Sequence, residues 1–118
     1  MIDHVNIPVS DLTDAQAFFD AVLAELDMTI LAKDGPALGY GTSAWTFGIV
    51  LDEGAIQPLH VAFVAKSHAV VRAFHAAGLA AGGSCNGAPG VRPHYGARYY
   101  AAFLTGPDGH NIEAVCRD

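Results

Sequence analysis

The first half of the chain passes from a strand-like pattern of apolar residues to helical spacing and back. Residues 2–9 are rich in β-branched side chains and end at Ser10-Asp11, which predicts a strand closed by a turn. Over residues 13–26 the apolar positions follow helical spacing, and Thr13 with Gln16 predicts a capping box. Turns containing Gly, Pro or Ser then separate three further predicted strands, at residues 28–32, Ala37–Gly41 and residues 45–51.

The second half repeats this order of patterns. Residues 58–65 predict a strand, Ser67 is a candidate N-cap, and residues 68–77 predict a helix that ends at Gly78. Residues 82–90 are rich in glycine and are predicted to be mostly loop, with room for one short strand. The last two strands are predicted at residues 98–105 and 110–116.

The two halves also match in sequence. A shift of 56 positions superposes "DHVNIPV" on "LHVAFVA", so that His4 matches His60 and, further along, Phe18 matches Phe74. The pattern therefore predicts one domain, residues 1–118, made of two β-α-β-β-β modules at residues 1–54 and 55–118. The expected fold class is α+β.

Composition narrows the function classes. Of the 118 residues, 52% are hydrophobic and only 15% charged, so we expect a second subunit to cover some apolar surface in a homodimer. The net charge of -6, with six scattered Lys and Arg residues, argues against nucleic acid or a membrane as partner. Without a signal peptide or an apolar span, the expected location is the cytoplasm. Cys85 and Cys116 have no close pair spacing and are expected to be free thiols.

Three potential metal ligands lie inside apolar strands: His4, His60 and Glu113. An ionised glutamate without a partner is costly to bury, so Glu113 predicts a cation, a metal or a proton beside it. If the two modules pack side by side, their first strands become neighbours, and the three side chains converge as a two-histidine, one-carboxylate set. The alternative for each residue alone is an ordinary hydrogen-bonded core position, but three such residues in a repeat favour a divalent metal site.

Three stretches, "DHVNIPVSDL", "LHVAFVA" and "GPDGHNIEAV", resemble the signature segments of the vicinal oxygen chelate superfamily, which includes glyoxalases, bleomycin resistance proteins and extradiol dioxygenases. Gly106 stands where the last motif usually has an aspartate. The resemblance covers both modules and implies a cupped, mixed eight-stranded sheet with a metal in the cup, commonly in a dimer. It places His4, His60 and Glu113 at three of the family's metal positions.

The chain departs from that family pattern at two places. The fourth metal position aligns with Gly48, or with Ile49 after a slip of one residue, whereas glyoxalase I enzymes have a glutamate that serves as the base. Three-ligand members commonly carry a tyrosine in the strand before the last motif, and that position aligns with Phe103. Tyr99, on the same face of the strand by alternation, is the candidate to replace it.

The segment "VRPHYGARYY" is expected to overhang the cup and to supply the remaining chemistry. His94 and Tyr99 are the candidate proton-transfer residues. The candidate substrate-binding residues are Arg92 and Arg98, which can neutralise a negative charge, together with Tyr95 and, from module one, Trp45 as an aromatic wall. The alternative is that the tyrosines fill the core and the dimer interface while the arginines are solvated. His68 and His75 are expected on the surface of the second helix, and His110 is expected to support the turn.

Two functions remain open from the sequence. The leading hypothesis, implied by the resemblance, is a metal-dependent enzyme of isomerase, lyase or dioxygenase type. Its substrate is a small molecule that chelates the ion through adjacent oxygens, and the ion is Fe, Mn, Zn, Ni or Co. The alternative is a non-catalytic protein that binds a bleomycin-type antibiotic in the same cup. Such members generally lack the metal ligands, so His4, His60 and Glu113 argue for the enzyme, although a fold alone does not establish activity.

Overall fold

The computed structural model describes all residues, 1–118, and contains the β-α-β-β-β order twice. The first module consists of β1 (Val5–Val9), α1 (Leu12–Ala24), β2 (Thr29–Asp34), β3 (Ala37–Gly41) and β4 (Phe47–Leu51). The second consists of β5 (His60–Val64), α2 (His68–Ala80), β6 (Ser84–Val91), β7 (Tyr100–Thr105), a single 3-10 turn (Pro107–Gly109) and β8 (Asn111–Cys116). The two helices begin and end 56 residues apart, which is the shift of the sequence repeat.

The eight strands form two mixed four-stranded sheets, one for each module, so the α+β class is confirmed. The strand order is β1-β4-β3-β2 in the first sheet and β5-β8-β7-β6 in the second. In each sheet the first and last strands of the module pair in parallel, and the other pairs are antiparallel. Within a single chain β1 and β5 do not pair with each other, because each is hydrogen-bonded to the last strand of its own module.

One hydrophobic core extends through both modules. Helix α1 packs on β2 and β4, α2 packs on β6, β7 and β8, and the two helices pack against each other. Phe18 and Phe74, which the repeat matches, are both buried in this core. The rings of Phe47 on β4 and Phe63 on β5 meet edge to face, with centroids 5.1 Å apart. Burial of these aromatic rings therefore joins the halves without a shared sheet.

His110 makes a second connection between the modules. Its side chain is fully buried, Nδ1 accepts a hydrogen bond from the Leu59 N–H at 2.9 Å, and Nε2 donates to the Pro8 carbonyl at 2.7 Å. These two bonds require the neutral ring with its proton on Nε2. Nearby, the Asp108 carboxylate accepts hydrogen bonds from the backbone N–H and the hydroxyl of Ser10. His110 thus does more than support its own turn, since it ties the last motif to the end of β1.

Several predicted boundaries need correction. The N-cap of α1 is Asp11, whose carboxylate accepts the Asp14 N–H at 3.0 Å, so Thr13 and Gln16 form no capping box. The N-cap role of Ser67 is confirmed. Helix α2 continues through Gly78 to Ala80. Gly78 is buried against Leu104, and a β-carbon there would clash with Leu104 Cδ1.

The glycine-rich stretch predicted as loop is instead an eight-residue strand, β6. Its register against β7 shifts twice, on either side of Gly87, so the strand pairs despite its glycines by bulging. Both cysteines are free thiols, as expected: Cys85 is exposed and Cys116 is buried. Both helices are 13 residues long, and neither combines the length and apolar character needed to cross a bilayer.

Candidate active site

Glu113 is the centre of a buried polar cluster. Its side chain is almost completely buried in β8. One carboxylate oxygen lies 2.8 Å from Nε2 of His60, and the other accepts a hydrogen bond from the Tyr99 hydroxyl. Both oxygens are therefore satisfied by neighbouring side chains, which removes most of the cost of burying the acid.

Strand register brings these three residues together. In the parallel β5–β8 pair, Ala62 lies opposite Glu113, so His60, two residues earlier on β5, points to the same face of the sheet. In the antiparallel β7–β8 pair, Phe103 lies opposite Glu113. Tyr99 lies four residues before Phe103, just ahead of β7, and its hydroxyl reaches back to the carboxylate. Tyr99 therefore lies on the face of the sheet that strand alternation predicted.

The environment of Tyr99 keeps its phenol protonated. Burial, followed by the hydrogen bond to Glu113 and the negative charge of that carboxylate, raises the pKa of Tyr99 to about 12. The guanidinium of Arg117 opposes this shift and lies 4.8 Å from the centre of the tyrosine ring. Tyr99 therefore acts as a hydrogen-bond donor at neutral pH, and it holds one oxygen of Glu113 in a fixed position.

These residues line a pocket of about 400 Å³, called here the Glu113 pocket. His60 provides its open polar edge, because the imidazole side chain is 52% exposed while Glu113 lies at the bottom. The complete lining is His60, Tyr95, Tyr99, Phe103, Glu113 and Arg117. A small ligand in this pocket would meet one imidazole, one carboxylate, two phenols, one guanidinium and one phenyl ring.

Arg117 is the functional candidate that the sequence reasoning missed. It follows the last strand, four residues after Glu113, and strand alternation extended past Cys116 would place it on the same face. That signal was present in the sequence, but a lone arginine next to a chain end resembles an ordinary solvated residue. Only the cation–π contact with Tyr99 places its charge at the pocket.

In the folded chain His4 does not share a pocket with His60 and Glu113. Its side chain is 55% exposed just before β1, and it lines a separate pocket of about 350 Å³, the His4 pocket, with Asn6, Asp34, Ala37 and Trp45. No group of three or more His, Cys, Asp or Glu side chains in the chain is placed to hold a metal ion. A single chain therefore brings together two of the three sequence-predicted ligands.

The strand register also identifies the residue that corresponds to Glu113 in module one. Asn6 on β1 is paired with Gly48 on β4, and Ala62 on β5, 56 residues after Asn6, is paired with Glu113. Gly48 is thus the structural counterpart of Glu113, and the alternative through Ile49 is excluded because Ile49 pairs with Ile7.

A side chain at Gly48 would require Trp45 and Asn6 to move. The indole of Trp45 lies over Gly48 and Gly39 and donates a hydrogen bond from Nε1 to the Asn6 amide oxygen at 2.9 Å. A β-carbon at Gly48 would lie 2.7 Å from Trp45 Nε1 and closer still to the Asn6 oxygen. Trp45 therefore is an aromatic wall of the His4 pocket, and its ring occupies the place where a fourth ligand would extend.

The remaining candidates from "VRPHYGARYY" do not touch Glu113. His94 packs on Tyr95 with ring centroids 4.1 Å apart, and both belong to an exposed turn. Arg92 donates hydrogen bonds to the carbonyls of Ala88 and Gly90 and lies 5.3 Å above the Phe103 ring. Arg92 thus stabilises the bulged β6 strand, whereas Arg98 is exposed.

The two histidines of α2 differ in burial. His75 is buried on α2, with Nε2 at 3.2 Å from the Cys85 sulfur, and burial lowers the pKa of its imidazole. The expectation of a surface residue is wrong because the exposed β6 strand covers this face of the helix. His68 is partly buried and stacks on Tyr100, with ring centroids 3.9 Å apart.

Comparison with known proteins gives matches among solved structures. No family model and no curated protein matches the chain. A glyoxalase/bleomycin resistance protein from Albidiferax ferrireducens is 34% identical, covers 98% of each chain and superposes with a TM-score of 0.85. A glyoxalase/bleomycin resistance protein/dioxygenase family enzyme from Burkholderia phytofirmans is 18% identical, with 99% and 98% coverage and a TM-score of 0.74. A glyoxalase-related enzyme from Fulvimarina pelagi is 15% identical, with 98% and 87% coverage and a TM-score of 0.75. The last two matches, at 18% and 15% identity, show similarity of fold only.

Proposed function

The chain belongs to the glyoxalase/bleomycin resistance protein family of the vicinal oxygen chelate superfamily, and on that premise we propose that it is a metal-dependent enzyme whose active site is the Glu113 pocket. The observation that carries the proposal is the contact of 2.8 Å between His60 and the buried Glu113. An imidazole nitrogen and a carboxylate oxygen that meet at this distance suit two adjacent ligands of one divalent ion.

A single chain supplies too few ligands for a catalytic site of the usual kind, in which three protein groups hold the ion and one position stays open. We propose that His4 of a second copy supplies the third. His4 is the repeat counterpart of His60, it is exposed, and it adjoins an edge strand that lacks a partner on one side. The donor set of two imidazoles and one carboxylate fits Fe, Mn, Co, Ni or Zn.

Exposed apolar side chains support a homodimer that would complete this site. Val5 on β1 and Val64 on β5 are 37% and 84% exposed, and Leu59, just before β5, is 43% exposed. These residues lie along or beside the outer edges of the two sheets. A second copy that paired with these edges would bury this apolar surface and satisfy the free backbone groups of the edge strands.

The bound ion would polarise an oxygen of the substrate and stabilise the negative charge that develops on it. The chain's own residues do the remaining work. Tyr99 holds the Glu113 carboxylate through its hydroxyl. Arg117 provides a positive charge at the pocket wall, and Phe103 and Tyr95 provide aromatic surfaces. We therefore propose a small, anionic, oxygen-bearing substrate with an apolar portion.

The filled space at Gly48 limits the choice of reaction. A glyoxalase I reaction requires a carboxylate base at this place, and Trp45 leaves no space for one. We propose that proton transfer instead relies on a residue outside the strands. His94 stays a candidate for that role, since it belongs to an exposed turn beside Tyr95 and the pocket.

Metal analysis of protein purified without chelator tests the proposal. The expected result is close to one divalent ion per chain, with a rise in thermal stability when that ion is added back to stripped protein. The variant Glu113→Gln should lose the ion, while Glu53→Gln, a change at an exposed glutamate, should keep it. Less than about a tenth of an equivalent in the wild type, with no stabilisation by any of the five ions, would rule out the metalloenzyme.

The second candidate function is sequestration of a small aromatic molecule without catalysis. The observation that favours it is Trp45, whose indole covers Gly48 and presents an aromatic surface in the His4 pocket. The same metal analysis distinguishes the two functions. A binding protein would bind its ligand equally well in wild type and Glu113→Gln, whereas the enzyme would lose substrate affinity together with the ion.

A further inference from the structure

Cys85 and His75 form a second pair of reactive groups, separate from the Glu113 pocket. Cys85 is an exposed thiol on β6, and its sulfur lies 3.2 Å from Nε2 of His75 on α2. Cys85 is paired with Leu104, whose side chain is buried in the core, whereas Glu113 is paired with the neighbouring Phe103. By strand alternation the thiol lies on the helix side of the sheet and Glu113 lies on the opposite side.

His75 is buried and Cys85 is exposed, which suits a fixed base beside an accessible nucleophile. The His75 residue is 9% exposed and lies on α2, whereas Cys85 is an exposed residue on an edge strand. With the ring proton on Nδ1, Nε2 is free to accept the proton of the thiol. A thiol within hydrogen-bond reach of a fixed imidazole is the arrangement by which proteins generate a thiolate nucleophile.

We propose that Cys85 is a base-activated thiol that forms a mixed disulfide with small disulfide compounds. His75 Nε2 takes the thiol proton, and the resulting thiolate attacks one sulfur of the disulfide. The new bond joins Cys85 Sγ to that sulfur while the original sulfur–sulfur bond breaks, and the leaving thiolate takes a proton from His75. The net reaction converts one protein thiol and one disulfide into one mixed disulfide and one free small thiol.

The surroundings favour a neutral base over a permanent ion pair. Burial lowers the pKa of His75, so the imidazole carries no permanent positive charge and takes the thiol proton only as the sulfur attacks. Cys85 is the one titratable residue of β6, and Tyr100 is the one titratable residue of β7. The Tyr100 hydroxyl accepts a hydrogen bond from Arg72, and the helical neighbours on α2 are His68 and Arg72. On α1, which packs against α2, the ionisable residues are Asp14 and Asp20.

The chain contains its own negative control. Cys116 is 1% exposed and packs in the hydrophobic core. In the folded protein a disulfide reagent has no access to it. Modification of the native chain should therefore stop at one site, and unfolding should expose a second.

The test uses oxidised glutathione as the disulfide probe, with adduct formation followed by intact mass and the site located by peptide mapping. Wild type should gain one glutathione at Cys85, and Cys85→Ser should gain none. At about pH 7 the variant His75→Gln should react about tenfold more slowly, because no neighbouring base then takes the proton of the thiol. Near pH 10 the rates should converge, because hydroxide then replaces His75 as the proton acceptor.

Equal rates for wild type and His75→Gln across the pH range would overturn the proposal, as would modification of Cys116 ahead of Cys85. Circular dichroism checks that His75→Gln is folded. If the variant does not fold, the wild-type chain in urea replaces it as reference. The reaction of Cys85 with oxidised glutathione should then remain measurable to lower pH in the native chain than in urea. Identical profiles of rate against pH would refute the role of His75.

Discussion

The indole of Trp45 lies over Gly48 and occupies the space into which a side chain at that position would extend. Gly48 is the strand counterpart of Glu113, so equivalent positions in the two modules carry very different residues. In module two a buried carboxylate points into a pocket, and in module one an aromatic ring covers bare backbone. The two modules therefore differ at the strand position that carries Glu113 in module two.

This packing makes Gly48→Ala costly. The new β-carbon would crowd Trp45 Nε1 and the Asn6 amide oxygen, and both would have to move. We expect the free energy of unfolding to fall by about 1–3 kcal/mol, the usual cost of overpacking, in urea denaturation. The matched control is Gly54→Ala in an exposed turn, which should change stability by less than about 0.5 kcal/mol. Equal effects of the two changes would show that Trp45 moves aside easily.

The hydrogen bond from Tyr99 to Glu113 should be worth a measurable part of the stability. Tyr99→Phe leaves a buried carboxylate oxygen without its donor, and we expect a loss of about 1–3 kcal/mol in the free energy of unfolding. Tyr95→Phe provides the control, because Tyr95 is 58% exposed and its hydroxyl has no such partner role. If both variants match wild type in chemical denaturation, the carboxylate is satisfied in another way.

His110 should be a major contributor to the joining of the modules. His110→Ala removes a fully buried ring and leaves the Leu59 N–H and the Pro8 carbonyl without partners. Loss of packing and of two buried hydrogen bonds predicts a decrease of about 2–5 kcal/mol in the free energy of unfolding. His94→Ala, in the exposed turn, should stay near wild type. A small effect of His110→Ala would mean that the shared aromatic core holds the modules without it.

Stability should fall at acidic pH through His75. Burial lowers the pKa of this imidazole below its ordinary value of 6.5, so the folded state resists protonation. Above that pH the ring is neutral in both states; below it the unfolded chain binds a proton that the folded chain does not, and the free energy of unfolding decreases until the folded-state pKa is reached. Urea titrations at several pH values should show this decrease in wild type and a smaller one in His75→Gln. Identical slopes would place the acid sensitivity elsewhere.

A mixing experiment tests whether the proposed metal site spans two copies. His4→Ala and Glu113→Gln should each lose the ion when prepared alone. When the two are unfolded together and refolded, mixed dimers should regain ion binding, because one of their two sites combines an intact His4 with an intact His60 and Glu113. Metal content after gel filtration is the readout. If the site lay within one chain, no mixture of the two variants could restore it.

Much of the fold could be predicted from the pattern of residues. The two β-α-β-β-β modules, the shift of 56 positions and the N-cap at Ser67 follow from periodicity and local capping chemistry, which act within a few residues. The errors at Gly78 and at β6 have a common cause. Glycine is a weak former of helices and strands on its own, and both segments are held by side chains and strands distant in sequence.

The sequence by itself determined which residues are chemically unusual: a carboxylate in an apolar strand, two histidines at equivalent points of a repeat, and a glycine where relatives of one class have an acid. Tertiary structure decided their partners. It joined Glu113 to His60 and Tyr99, added Arg117, left His4 in another pocket, and placed Trp45 over Gly48. The physical reason is that the cost of burying a polar group is a property of the residue, whereas its compensation depends on strand register and on contacts between residues far apart in the chain.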